Sequence, residues 1–275
     1  MRAYTYVHIH IWAHMCMCIS AYVRMHARIR NKYRVRINED YMDVIDRQDV
    51  ANSVGDVLDR QLKDDFFCHQ IDIVLNTMKP VKLNFWEVSD AIYPVSDDNI
   101  KDVISKLSKL YMFSAGINLN WMDTSRVTYM NKLFSVTSGM VLDVDISRWD
   151  VSHVTNMGYV FAHKQFNGDI SKWDVSSVFN MAGMFVGSSF NGDIGSWDIR
   201  SLKNCQYMFA DSEFNQDISG WDVSHVNSLD RMFMGSKMYH DLSSWDVTYA
   251  SYRYEMFVSS PMQKKREWFP KGCIS

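Results

Sequence analysis

The sequence predicts an α/β repeat solenoid, in which each 24-residue unit contributes one short strand and one short helical turn, preceded by a small, mainly helical N-terminal cap. Two regularities in the C-terminal half of the chain support this fold class. An Asp follows each of five evenly spaced tryptophans directly, and a second Asp precedes each of them by four residues. The tryptophans, 24 residues apart, are Trp149, Trp173, Trp197, Trp221 and Trp245. Positions that keep one spacing throughout indicate a structural unit repeated in tandem.

The strand and the helical turn are predicted from the periodicity within one unit. Apolar and polar residues alternate over residues 190–194, which is the period of a short strand. Over residues 178–185 the apolar residues instead recur about once per helical turn, which is typical of a short amphipathic helix. Ser152, Ser176 and Ser224 lie just ahead of this stripe in their units, so we expect them to cap the helical turns.

Stacking of neighbouring units must form the core, because one unit is too short to bury its own apolar side chains. Each large side chain buried in this way contributes roughly 1.5–3 kcal/mol before the loss of conformational entropy is counted. The expected core residues are Trp149, Trp173, Trp197, Trp221, Trp245, Met184, Phe185, Met208, Phe209, Met232 and Phe233.

Stacking also places the aspartates of successive units in columns, about 4.8 Å apart. Two ionised carboxylates at that distance repel by roughly 1 kcal/mol in water and by several times more near a protein surface. We expect Asp150 and its equivalents to accept backbone N–H groups in a turn, which stabilises the ionised form. Calcium along the column that begins at Asp145 is the alternative. One carboxylate per unit is fewer than the roughly six to eight oxygens that calcium takes, so no metal and no cofactor is predicted.

The string FNQDISGWDVSHV at residues 214–226, followed by Met232 and Phe233, resembles the repeat of the BspA-like leucine-rich-repeat surface proteins. Residues 96–134 resemble the entry segment and the irregular first repeat of that family, and residues 256–270 resemble its terminal cap. The resemblance implies a parallel, leucine-rich-repeat-like solenoid of strands and turns. It also implies a cell-surface or secreted protein that binds host or partner proteins, and it implies no catalytic residue.

Four segments follow from these patterns. Residues 1–38 are predicted to be an atypical basic leader, residues 39–95 a small cap, residues 96–270 the solenoid with its entry segment and C-terminal cap, and residues 271–275 a tail. The cap is expected to combine a helical stretch over residues 39–78 with a strand over residues 81–86. The leader has seven Lys/Arg and no acidic residue, and its residues alternate as the translation of an alternating dinucleotide would. We therefore expect it to arise from an upstream start codon.

Two alternatives apply to the leader. Its histidines and cysteines would share one face of a strand, and imidazole and thiolate groups suit Zn or Cu; these residues are His8, His10, His14, Cys16 and Cys18. A basic segment without acidic residues is also compatible with a targeting peptide.

Composition restricts the function classes. With 47% hydrophobic and 22% charged residues the chain can bury a core, and a net charge of -3 gives no basic surface for nucleic acid. No apolar run reaches the roughly 18 residues of a membrane span. The sequence has no Gly-rich phosphate loop, nucleophile elbow, HExxH or CxxC motif, so an enzyme is not predicted.

We therefore predict a non-enzymatic repeat scaffold that binds a protein or glycan partner, as in adhesion, through the exposed polar face of its strands. The candidate binding residues are Asn167, Asp169, Ser171, Asn191, Asp193, Asn215, Asp217 and Ser219. The alternative is a structural spacer, such as a component of a virion or a surface layer, with no specific small ligand.

Overall fold

The computed structural model describes residues 68, 70–73, 75–76, 92–111, 113, 116–137 and 139–273. All of them lie within one compact unit, Asp59–Ser275. The predicted leader, its candidate metal ligands and the strand predicted over residues 81–86 lie outside the described residues. Of the helix predicted over residues 39–78, the described positions between 68 and 76 are helical.

The regular elements are concentrated ahead of the repeats. They are β1 (Tyr93–Ser96), α1 (Ile100–Tyr111), β2 (Ile117–Asn118), β3 (Met122–Arg126) and β4 (Val144–Asp145). β1 pairs in parallel with β3, and β2 pairs in parallel with β4. Apolar residues three and four positions apart give α1 one buried face, which includes Ile100, Ile104 and Leu107. This segment supplies the first apolar surface against which the repeats pack.

Parallel backbone bridges link the 24-residue repeats at equivalent positions. We number the repeats first to fifth over residues 142–165, 166–189, 190–213, 214–237 and 238–261. The bridges join Asn156 to Asn180, Asn180 to Asn204, Asn204 to Ser228, and Ser228 to Tyr252. Each step advances the chain by one repeat, so each repeat bonds to its neighbouring repeats along the chain.

The segment predicted to be helical is a run of turns, and that prediction is wrong. In the second repeat the N–H groups of Met181, Gly183, Phe185 and Gly187 donate to carbonyl groups of the third repeat at 2.8–2.9 Å. A helix would direct these N–H groups to its own carbonyls. Gly183 and Gly187 also have φ of 58° and 61°, in the left-handed region that interrupts a helix. Hydrogen bonding between repeats therefore replaces hydrogen bonding within a helix.

The strand predicted over residues 190–194 is also absent. The backbone N–H of Asn191 donates to the side-chain Oδ1 of Asn167 at 2.9 Å, where a strand partner would offer a backbone carbonyl. The predicted capping role of Ser152, Ser176 and Ser224 fails for a related reason, since no helix follows them. Residues 146–260 contain neither a helix nor an extended strand, only turns, bends and single bridges.

All of the expected core residues are buried. The rings of Phe161, Phe185, Phe209, Phe233 and Phe257 stack in one column with centroids 5.5–5.7 Å apart. A second column of rings begins at Phe166, and its ring centroids lie 3.9–4.1 Å from those of the first column. Each repeat thus adds one layer of aromatic contact to the core.

A buried hydrogen bond fixes each tryptophan of the repeats. Its indole N–H donates to a backbone carbonyl in the preceding layer, over 3.0–3.3 Å. The pairs are Trp149 to Leu119, Trp173 to Ile146, Trp197 to Ile170, Trp221 to Ile194 and Trp245 to Ile218. Each of these carbonyls also accepts a backbone N–H. The contact nevertheless favours tryptophan over other large apolar residues, because a buried indole N–H needs an acceptor.

After the fifth repeat the chain covers the end of the aromatic column. Two 3₁₀ helices, Pro261–Lys264 and Arg266–Trp268, lead to Phe269, whose ring lies 4.3 Å from that of Phe257. The chain then pairs Lys271 with Asp246 in a last parallel bridge.

Candidate binding surface

Both aspartate columns hold tight turns in place. The Oδ1 atom of each Asp accepts the backbone N–H of the residue two positions later, at 2.9–3.1 Å. The acceptors are Asp145, Asp169, Asp193, Asp217 and Asp241 in one column and Asp150, Asp174, Asp198, Asp222 and Asp246 in the other. The predicted hydrogen bonds of the second column are thus confirmed, although the turn leads to no helix.

These hydrogen bonds favour the ionised carboxylates. The Ser152 hydroxyl and its backbone N–H hold the pKa of Asp150 below its ordinary value. The backbone N–H of Ser171, and then its hydroxyl, lower the pKa of Asp169 in the same way. The turns after Asp150 and Asp169 thus stabilise these two carboxylates in the ionised form without a cation.

The asparagine column connects one repeat to the next. Asn167 accepts the backbone N–H of Asn191, Asn191 accepts that of Asn215, and Asn215 accepts that of Tyr239, over 2.8–2.9 Å. These side chains are exposed but are already used as acceptors. The eight predicted binding residues thus lie on one exposed edge with hydrogen bonds that the fold requires, and their binding role stays a prediction.

Replacement of Asp193 by Asn tests whether the first column needs a cation. Asp193 accepts the N–H of Gly195 at 3.0 Å, and an amide oxygen can do the same. We expect Asp193→Asn to change the free energy of unfolding by less than about 0.5 kcal/mol, and Asp193→Ala to lower it by about 0.5–1.5 kcal/mol. Urea denaturation measures both variants. A rise in melting temperature with millimolar calcium, abolished by Asp193→Asn, would instead establish a calcium site.

A second exposed surface lies along the parallel bridges. We define the bridged face as the outward side chains of residues 155–158, 179–182, 203–206, 227–230 and 251–254. In the third and fourth segments a buried residue separates outward ones, as Cys205 does between Asn204 and Gln206. The backbone therefore presents the same outward positions again and again.

Two positions of the bridged face differ from repeat to repeat, unlike the aspartate columns. The bridge position itself holds Asn156, Asn180 and Asn204 in three repeats, and each accepts the N–H two residues later. The position of Thr155 holds Phe179, Lys203, Asn227 and Ser251 in the later repeats. Among these residues Phe179 is a large apolar side chain that is 47% exposed. Sequence reasoning selected the constant polar positions and missed this face. The signal was available as variation at fixed positions between constant neighbours.

The described residues do not assemble an obvious catalytic or metal site. They contain no group of three or more His, Cys, Asp or Glu side chains placed to hold a metal. Burial raises the pKa of the Cys205 thiol, which lies 3.7 Å from the Met232 sulfur and is shielded from solvent. His225 is held by the carbonyl of Ile199 at 2.9 Å. These groups are accounted for by packing and turn geometry.

The chain belongs to a family described as "Mycoplasma protein of unknown function, DUF285", whose model matches residues 98–213 and 164–268. The matched segments cover the entry elements and the repeats. No curated protein and no solved structure matches the chain. Among the described helices, none has the length and apolar character needed to cross a bilayer.

Proposed function

We propose that the chain is a non-enzymatic scaffold whose repeats stack as a leucine-rich-repeat-like solenoid and bind a protein or glycan partner through the bridged face. The observation that supports this proposal best is the contrast between two exposed surfaces on one regular backbone. Aspartates and asparagines recur where turns and contacts between repeats need them. Side chains at the first and last positions of the bridged segments vary while the backbone beneath them does not.

Such a surface suits recognition. Parallel bridges hold its backbone in place, so little conformational entropy is lost when a partner binds. Exposed rings such as Phe179 offer contact area that is not needed for packing. Because residues 214–226 resemble BspA-like repeats, we further propose that the partner is bound in adhesion at a cell surface. A passive spacer would place no such demand on the side chains of this face.

Photo-crosslinking from two matched glutamines tests the proposal. Gln206 lies on the bridged face and Gln216 lies beside Asp217, and both are half-buried in the third and fourth repeats. A benzophenone amino acid is introduced at either position, and the full chain is exposed to cells of its source and irradiated. We expect adducts from position 206 and few from position 216, and the adduct mass distinguishes a protein from a glycan. Adducts from position 216 alone would favour binding through the exposed edge that holds the eight predicted binding residues. Adducts from neither position would favour a spacer.

A further inference from the structure

Three exposed positions in the second half of the fifth repeat hold tyrosine, which none of the four earlier repeats has there. Tyr249, Tyr252 and Tyr254 are 62%, 53% and 57% exposed. The earlier repeats hold small or polar residues at these positions. In the fourth repeat they are His225, Ser228 and Asp230. The chain thus introduces three large aromatic side chains in the last repeat, where the pattern otherwise places polar ones.

Packing does not explain these three tyrosines. Within the part of the chain that the structure describes, none of their hydroxyls has a hydrogen-bond partner and none of their rings pairs with another ring. By contrast, the ring of Tyr239 lies 5.1 Å from that of Trp268. Clustered, exposed rings without internal partners are typical of contact sites for another molecule.

One basic residue, Arg253, stands between Tyr252 and Tyr254 in the chain, and a second, Lys271, is bridged to their repeat. The Nε of Arg253 donates to the Gly272 carbonyl at 2.8 Å, and its Nη1 donates to the Ala250 carbonyl. Both acceptors are neutral, so no carboxylate compensates the guanidinium charge among the described residues. Lys271 is exposed, and its backbone pairs with that of Asp246 in the same repeat as the tyrosines. We call Tyr249, Tyr252, Arg253, Tyr254 and Lys271 the tyrosine patch.

The sign of the charge changes at this end of the chain. Residues 253–273 carry five Lys/Arg and two Glu, a net charge of +3. Residues 142–252 carry seven Lys/Arg and fourteen Asp/Glu, a net charge of -7. An acidic ligand is therefore repelled along the repeats and attracted to their C-terminal end, which directs it to the tyrosine patch.

We propose that the tyrosine patch binds an acidic segment of a partner protein. This deepens the function proposed above and rests on it, because Tyr252 and Tyr254 of the patch form the C-terminal end of the bridged face. Tyrosine and arginine dominate the energetics of protein interfaces, since they combine a large contact area with polar groups. Rings that are more than half exposed suit a protein surface better than the concave site that a small ligand needs.

Panning a displayed library of random dodecapeptides on the full chain tests this proposal. We expect enrichment of peptides rich in Asp and Glu, whose affinity falls as salt is added. For the best peptide, fluorescence anisotropy should show an affinity loss of about tenfold or more in Tyr252→Ser/Tyr254→Ser and a further loss in Lys271→Glu. Tyr129→Ser is the matched control, because Tyr129 pairs with Asn156 at the first bridge of the same series and is 45% exposed. All variants should keep the melting temperature of the parent chain.

Several outcomes would overturn the proposal. Enriched peptides without an acidic excess would refute the assigned chemistry. Acidic peptides that bind the tyrosine variants as tightly as the parent would place the site elsewhere. Self-association of the chain in sedimentation velocity, lost in Tyr252→Ser/Tyr254→Ser, would identify a second copy as the occupant. If adducts form from position 206 but one of these results is obtained, the proposal for the bridged face stands and only the proposal for the tyrosine patch is refuted.

Discussion

Replacing Trp197 by Ala is expected to lower the free energy of unfolding by about 3–5 kcal/mol. Trp197 is buried in the third repeat, between layers on both sides, and its indole donates to the Ile170 carbonyl over 3.2 Å. Removal of the side chain leaves a cavity and removes one of the two hydrogen bonds that this carbonyl accepts, since the backbone N–H of Trp173 also donates to it at 3.1 Å. Because single domains are stable by only about 5–15 kcal/mol, urea denaturation would detect the loss easily.

Two controls separate the causes of this loss. Trp197→Phe retains an aromatic side chain but not the N–H group, so we expect a smaller loss than for Ala. Trp245→Ala should also cost less, because the fifth repeat has only one repeat beside it and terminal repeats fray more readily. Equal losses for Trp197→Ala and Trp245→Ala, or a negligible loss for either, would contradict packing in layers.

Burial and turn chemistry were predictable from the sequence. Tryptophans and phenylalanines at a fixed spacing have to share an environment, and burial is the environment that large apolar side chains favour. The role of Asp150 followed from the small size of its carboxylate and the turn after it. The structure places the N–H of Ser152 at 3.0 Å from that carboxylate.

The helical turn was not predictable, because a run of tight turns also brings an apolar residue inward about every four positions. The feature that distinguishes turns from a helix is the left-handed backbone at two positions of the repeat. The residue types do not reveal it, because residues other than glycine also adopt it there. Gly183 occupies the first of these positions in the second repeat, but Tyr159 and Tyr207 occupy it in the repeats on either side with φ of 56° and 57°. A Cβ at Gly183 would lie 2.3 Å from the Tyr159 ring. The ring of Tyr159 therefore occupies the space that a side chain at position 183 would need.

The polar edge was assigned from exposure and alternation, and neither reveals a hydrogen bond between repeats. Asn191 illustrates the difficulty, since its side chain is exposed and also accepts the backbone N–H of Asn215 at 2.8 Å. A residue that recurs on a surface can recur because the fold needs it. Variation at exposed positions such as Phe179 and Lys203 is therefore the better guide to recognition in a chain of this kind.

Removal of one whole repeat tests stacking in register, which is the central claim. A chain without residues 190–213 joins Ser189 to Phe214, which is the same kind of junction as Ser189 to Phe190. Trp221 can then donate to the Ile170 carbonyl, and Phe233 can stack on Phe185. A chain without residues 190–201 loses half a repeat, and every apolar column after the deletion is out of register.

Urea unfolding of the two shortened chains is the most direct measurement. If each repeat contacts only its neighbours, the chain without residues 190–213 should unfold cooperatively with a slightly smaller dependence on urea concentration. The chain without residues 190–201 should show no cooperative transition or should aggregate. Loss of folding in both chains alike would contradict the stacking of 24-residue units.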